Sequence, residues 1–163
     1  MIDFENIFAI TQKELRDARR NRWFLLYALA FAGLSLALAW MTLSGVGSGG
    51  LAGYGRTSAS LINLILLIVP LMGLTLGALS LAGEREKGTL LYLMAQPITQ
   101  MELLLGKFIG LALALMAAIT MGFGLTAVLI AFSGGADSST YLTLLVLACL
   151  LAVASLSVGY LIS

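Results

Sequence analysis

Histidine is absent from this chain of 163 residues, cysteine occurs once and proline twice. Without a histidine or a second cysteine, the chain can form neither an internal disulfide nor a Cys/His metal cluster. Cys149 lies in an apolar run and reads as a small buried residue. Charge is also scarce. Asp, Glu, Lys and Arg make up 10% of the residues and hydrophobic types 60%, whereas soluble domains are about 25% charged. Apolar content on this scale has no polar shell to surround it, which places the chain in the membrane class. The net charge of +1 says less than the distribution of the charges, and nothing in it points to a nucleic-acid partner.

Charge is missing altogether from four runs, residues 23–43, 60–83, 108–133 and 141–163. Each is about 20 residues or longer, enough to cross roughly 30 Å of hydrocarbon as a helix. Barrel strands would alternate in polarity, and these runs do not, so they predict four transmembrane helices. Lys13, Arg16, Arg19, Arg20 and Arg22 precede the first run, and Arg85, Lys87 and Lys107 lie between the second and third. Arg56 is the sole base between the first and second, and the last connection carries only Asp137. The positive-inside rule then predicts a multi-pass membrane protein with a cytoplasmic N-terminus and a cytoplasmic connection over 84–107; a cytoplasmic side of this kind is expected of the inner (plasma) membrane. The outer stretches SGVGSGGLAGYGRTSAS and SGGADSST read as small-residue connectors. No Asp, Glu, Lys, Arg or His lies inside the four runs, which argues against an ion-coupled carrier and an intramembrane protease. Gly106-Lys107 lacks the upstream glycine and following Ser/Thr of a P-loop. The chain itself is therefore expected to be no enzyme.

The polar lead, residues 1–22, is too long for a signal peptide, and no small-residue cleavage site follows the first run. Phe4, Ile7, Phe8, Thr11, Leu15 and Ala18 recur at helical spacing, while Lys13, Arg16, Asp17, Arg19 and Arg20 fall mostly on the other side. With Asp3 as a cap, this predicts an amphipathic helix in the inner interface. A basic topology anchor is the plainer alternative.

The 84–107 connection holds Glu84, Arg85, Glu86 and Lys87 in a row, then TLLYLMA, Pro97, and ITQME. Gln96 before Pro97 is biased away from helix. Thr99 and Glu102 fit a capping box, from which a helix can run through Lys107 into the third run. The connection thus predicts a short helix, a break and a freshly capped helix. Leu90, Leu91, Tyr92, Leu93 and Met94 stand outside the runs, either as a protein contact surface or against lipid headgroups. Other signals are weaker. Gly73/Gly77 and Gly106/Gly110 form G-x-x-x-G pairs that suit close helix packing, and Pro70 predicts a kink. Met72, Met116 and Met121 read as packing rather than Cu(I) ligands. Asn63, Thr75, Thr120 and Thr126 either line a path or bond between helices.

The residues Glu84, Arg85, Glu86, Gly88, Thr89 and Leu90, then Pro97, Thr99, Glu102, Gly106 and Lys107, resemble the permease subunits of type-2 ABC transporters. KELRDARRNRW (Lys13 to Trp23) is similar to that family's lead-in to its first span. The nearest likeness is to permeases of nitrous-oxide-reductase maturation systems. The resemblance covers essentially the whole chain and implies a coupling helix between the second and third spans. That helix docks on a separate cytosolic ABC ATPase, with Glu84, Arg85, Glu86, Gly88 and Thr89 at or near the contact. It also implies a second permease copy, ATP and Mg²⁺ held by the partner subunit, and no cofactor on this chain. Family members ordinarily continue with further spans, so the ending GYLIS implies a fragment or a shortened gene product. The expected fold is an all-α integral membrane protein: an interfacial helix, four transmembrane helices and a short helical cytoplasmic hairpin. A membrane scaffold whose hairpin binds another cytosolic protein is the alternative, with a non-ABC carrier after it.

Overall fold

Asn21 divides the basic N-terminal segment from the first apolar run. Its side-chain Oδ1 accepts from the Trp23 N–H at 3.0 Å, and its carbonyl accepts from the Leu25 N–H at 3.0 Å. It is therefore an N-cap that ends one helix and opens the next. The computed structural model describes residues 4–43, 51–86, 99–132 and 138–163. Their regular structure is helical: α1 (Phe4–Arg20), α2 (Arg22–Leu43), α3 (Leu51–Glu86), α4 (Gln100–Phe132) and α5 (Ser138–Ile162).

Four of these helices contain stretches long and apolar enough to cross a membrane: Arg22–Met41, Ala59–Ser80, Met101–Val128 and Tyr141–Ile162. The helices extend beyond the charge-free runs. α3 has 36 residues and α4 has 33, so at 1.5 Å per residue they are about 54 and 50 Å long, against roughly 30 Å of hydrocarbon. α3 already begins at Leu51, inside the stretch expected to be a connector. Gly53 and Gly55 each cost only about 1 kcal/mol in a helix, and no proline interrupts Leu51 to Val69.

α3 packs most extensively on α5, α2 lies against α3 and α4, and α4 also meets α5. The four long helices thus close a ring in the order α2, α3, α5, α4, with α1 laid against α4. Phe31, Val69, Met72, Leu115, Ile119, Ala148, Ala152 and Leu156 fill the core. The Phe123 ring sits 6.0 Å from both Phe31 and Tyr141. Met72 is part of this core whereas Met121 is exposed, so these two sulfurs do not face a common site. Leu26, Leu29, Leu66, Leu67, Leu147 and Leu150 face outward, an exterior suited to lipid and not to water.

Small residues set the α3–α5 contact. A Cβ on Gly77 would lie 2.7 Å from the Leu156 carbonyl oxygen, and one on Gly159 would lie 2.6 Å from that of Leu74. Glycine is required on both sides for backbones this close. Three span threonines bond within their own helices. Thr75 donates to the Leu71 carbonyl at 2.6 Å, Thr120 to Met116 at 2.8 Å and Thr126 to Gly122 at 3.0 Å. None of these three links two helices, and Asn63 is exposed on α3.

Candidate functional site

The end of α3 and the start of α4 lie at one end of the bundle, and α1 joins them there. Thr99 is exposed just before α4, with Glu102 buried in its first turn. The Thr99 N–H donates to Glu102 Oε2 at 2.9 Å, and the Glu102 N–H donates to Thr99 Oγ1 at 3.3 Å. This reciprocal pair satisfies two of the otherwise orphaned donors at the helix start. α4 then continues from Gln100 through Lys107 to Phe132 without a break.

Lys107 is 2% exposed. Its Nζ lies 3.2 Å from Glu14 Oε1 of α1 and donates to the Ser80 carbonyl of α3 at 3.3 Å. One ammonium group therefore ties three helices together. A buried ammonium is tolerated only when paired in this way. The approach of α1 depends on the neighbouring glycines. A Cβ on Gly106 would stand 2.8 Å from the Ile10 Cβ, and one on Gly110 would stand 2.6 Å from the Glu14 Cβ. Thr11 Oγ1 adds a hydrogen bond to the Gly106 carbonyl at 3.2 Å. Contacts advance by four residues on both helices at once, so α1 and α4 run side by side in the same direction. α5 closes the same end: the Tyr160 hydroxyl donates to the Leu104 carbonyl at 3.2 Å, and Ser163 Oγ donates to that of Ala78 at 2.7 Å.

Of the residues singled out in the sequence, Glu84, Arg85 and Glu86 form the last turn of α3. Gly88 and Thr89 lie outside the described residues, as do Leu90 to Met94 and Pro97. The apolar stripe of α1 divides. Ile10, Glu14 and Ala18 are buried against the bundle, while Phe4 and Phe8 are 83% and 71% exposed. The inward face is thus rotated from the one the sequence suggested, because it follows the α4 groove instead of a flat lipid surface.

Sequence reasoning missed Glu14. A signal was present: Ile7, Ile10, Glu14 and Ala18 are spaced by three and four residues, which puts a lone acid on an otherwise apolar face. Lys107 counts in the sequence only as one base of the connection, although it stands between two glycines spaced for close packing. Among the described residues, no three His, Cys, Asp or Glu side chains gather as a metal site. What the site offers is fixed ion pairs and hydrogen bonds that lock helix ends together.

Residues 8–163 match a family described as ABC-2 family transporter protein. The chain is similar to a probable ABC transporter permease protein NosY of Pseudomonas aeruginosa, 42% identical over 124 residues, which are 76% of this chain and 45% of that protein. It is also similar to the protein of the same name from Stutzerimonas stutzeri, 40% identical over 125 residues, which are 77% of this chain and 45% of that protein. The match thus spans about half the length of these curated relatives. With its four membrane-length apolar helices and a family match that runs almost from end to end, the chain belongs to the ABC-2 family of transporter proteins.

Proposed function

We propose that the chain is a membrane permease component of an ABC transporter, and that its 84–107 connection docks on a separate cytosolic ATPase subunit. ATP and Mg²⁺ are held by that subunit, a second permease copy completes the transport unit, and this chain supplies no catalytic group. The observation that carries the reading is the gathering of α1, the end of α3 and the capped start of α4 at one end of the bundle. Both legs of the connection are thereby fixed, and a load applied between them is borne by the helix bundle and not by a slack loop. Likeness to proteins named as permeases supports the same reading.

The charged end faces the cytoplasm of the inner membrane. Lys13, Arg16, Arg19, Arg20 and Arg22 gather there, and all five are exposed. α1 has 17 residues, about 25 Å, comparable to the roughly 20 Å by which α4 exceeds the hydrocarbon. α1 therefore runs beside the projecting part of α4, and Trp23, at the start of α2, stands at the level of the headgroup layer. In this reading Glu84, Arg85, Glu86, Gly88 and Thr89 make the ATPase contact, where ion pairs set register more than affinity.

Co-purification with the cognate ATPase tests this, with Glu84→Ala/Glu86→Ala as the comparison. The parent chain should retain the ATPase, and the double variant should lose most of it while still inserting normally. Equal retention by both would remove the acidic end of α3 from the contact. Retention by neither would leave a scaffold with a different partner.

A further inference from the structure

We propose that Lys107 is a positioning residue whose contacts with Glu14 and the Ser80 carbonyl clasp α1 to both legs of the charged connection, making the three helix ends one rigid body. The inference rests on the reading that the connection receives the ATPase, and it adds how the displacement is passed on. Lys107 and Glu14 are 2% and 7% exposed, so the pair is shielded from water and screened little by salt. Its two acceptors stand on different helices. A buried ion pair adds little net stability compared with an apolar pair of the same shape, and its best-attested role is to fix register.

The surroundings agree with that role. Gly106 and Gly110 flank Lys107 and hold α1 too close for sideways slip, with contacts at 2.8 and 2.6 Å to any added Cβ. α1 passes into α2 through Asn21, where each turn of the junction is hydrogen bonded, from the Asn21 N–H to Ala18 O at 3.1 Å and from the Leu25 N–H to Asn21 O at 3.0 Å. A displacement of the α4 start is therefore delivered through Glu14 to α1 and on to the first span. Were α1 held by lipid alone, α4 would move without it.

The test uses the full chain in nanodiscs, with Cys149→Ser as background and spin labels at the exposed positions Gln12 and Ile109. The expected distance distribution is narrow and does not change when ATPase and ATP are added. Lys107→Met and Glu14→Gln should each broaden it at least twofold, and Lys107→Arg, which keeps the charge, should hold it narrow. In complexes that retain the ATPase within twofold of the parent, both broadening variants should lower ATP hydrolysis by the complex about tenfold relative to Lys107→Arg. A narrow distribution in Lys107→Met and Glu14→Gln overturns the clasp. If Lys107→Met fails to insert, Glu14→Gln decides the matter, because it leaves Lys107 its Ser80 acceptor. If the parent fails to bind the ATPase, the docking reading fails, while the distance widths of the chain alone still decide the clasp.

Discussion

Replacing Gly77 by alanine should destabilise the bundle, whereas the same change at Gly33 or Gly124 should not. A methyl on Gly77 would meet the Leu156 carbonyl oxygen at 2.7 Å, the Gly159 carbonyl carbon at 2.8 Å and the Tyr160 nitrogen at 2.8 Å. All three are backbone atoms and none can rotate away. Ordinary contact begins near 3.4 Å, so α3 and α5 must part by about 0.7 Å along their most extensive interface. Overpacking of this kind costs about 1–3 kcal/mol, and the backbones are equally close at the facing Gly159, where an added Cβ would lie 2.6 Å from the Leu74 carbonyl oxygen, which puts the cost near the top of that range. Against it stands the gain of about 1 kcal/mol that alanine brings over glycine inside a helix. The net loss is roughly 2 kcal/mol. Gly33 and Gly124 have nothing within 4 Å of an added Cβ, so only the gain applies there. The gap between the two classes is about 3 kcal/mol, or roughly 6–12 °C in midpoint for a chain of this size. Thermal unfolding of all three variants in one detergent measures it. A Gly77→Ala midpoint equal to that of Gly33→Ala would refute the close backbone packing of α3 on α5.

The ion pair and the caps give further expectations. Glu14→Gln removes the carboxylate that lies 3.2 Å from the buried Lys107 ammonium and should cost up to about 3–5 kcal/mol, while Glu14→Leu/Lys107→Met should recover most of that, read as a non-additive double-mutant cycle in denaturation. Thr99→Ala removes the hydroxyl that receives the Glu102 N–H and should cost about 1 kcal/mol, with faster amide exchange confined to the first turn of α4. Asn21→Ala removes the bond to the Trp23 N–H, with a similar cost and with exchange rising at Trp23 itself.

The four long helices were legible because hydrocarbon demands unbroken apolar length, and the charge-free runs supply it without ambiguity. The start of α4 was legible because Thr99 and Glu102 carry a local pattern that needs no tertiary partner. The start of α3 was not: Gly47 to Gly55 resemble a connector by composition, and whether a helix passes through part of such a stretch depends on its neighbours. The division of the α1 stripe was only half legible. Periodicity shows that Phe4, Ile7 and Phe8 are apolar, but not which of them meets protein and which meets the surroundings. Lys107 illustrates the same limit. Its partners, Glu14 and the Ser80 carbonyl, are distant in sequence, and nothing beside it indicates burial except the two glycines. The G-x-x-x-G pairs were a tertiary signal already visible in the sequence. Gly73 and Gly77 pack on α5, and Gly106 and Gly110 receive α1.

Photo-crosslinking in intact membranes tests the central claim most directly. A benzophenone residue is placed at Thr89 in the charged connection, and in a second variant at Gly47 in the stretch between the first two apolar runs, with the cognate ATPase co-expressed. The account predicts an ATPase adduct from position 89 and none from position 47. An adduct from position 47, or from neither position in membranes where the ATPase co-purifies with the chain, would contradict it.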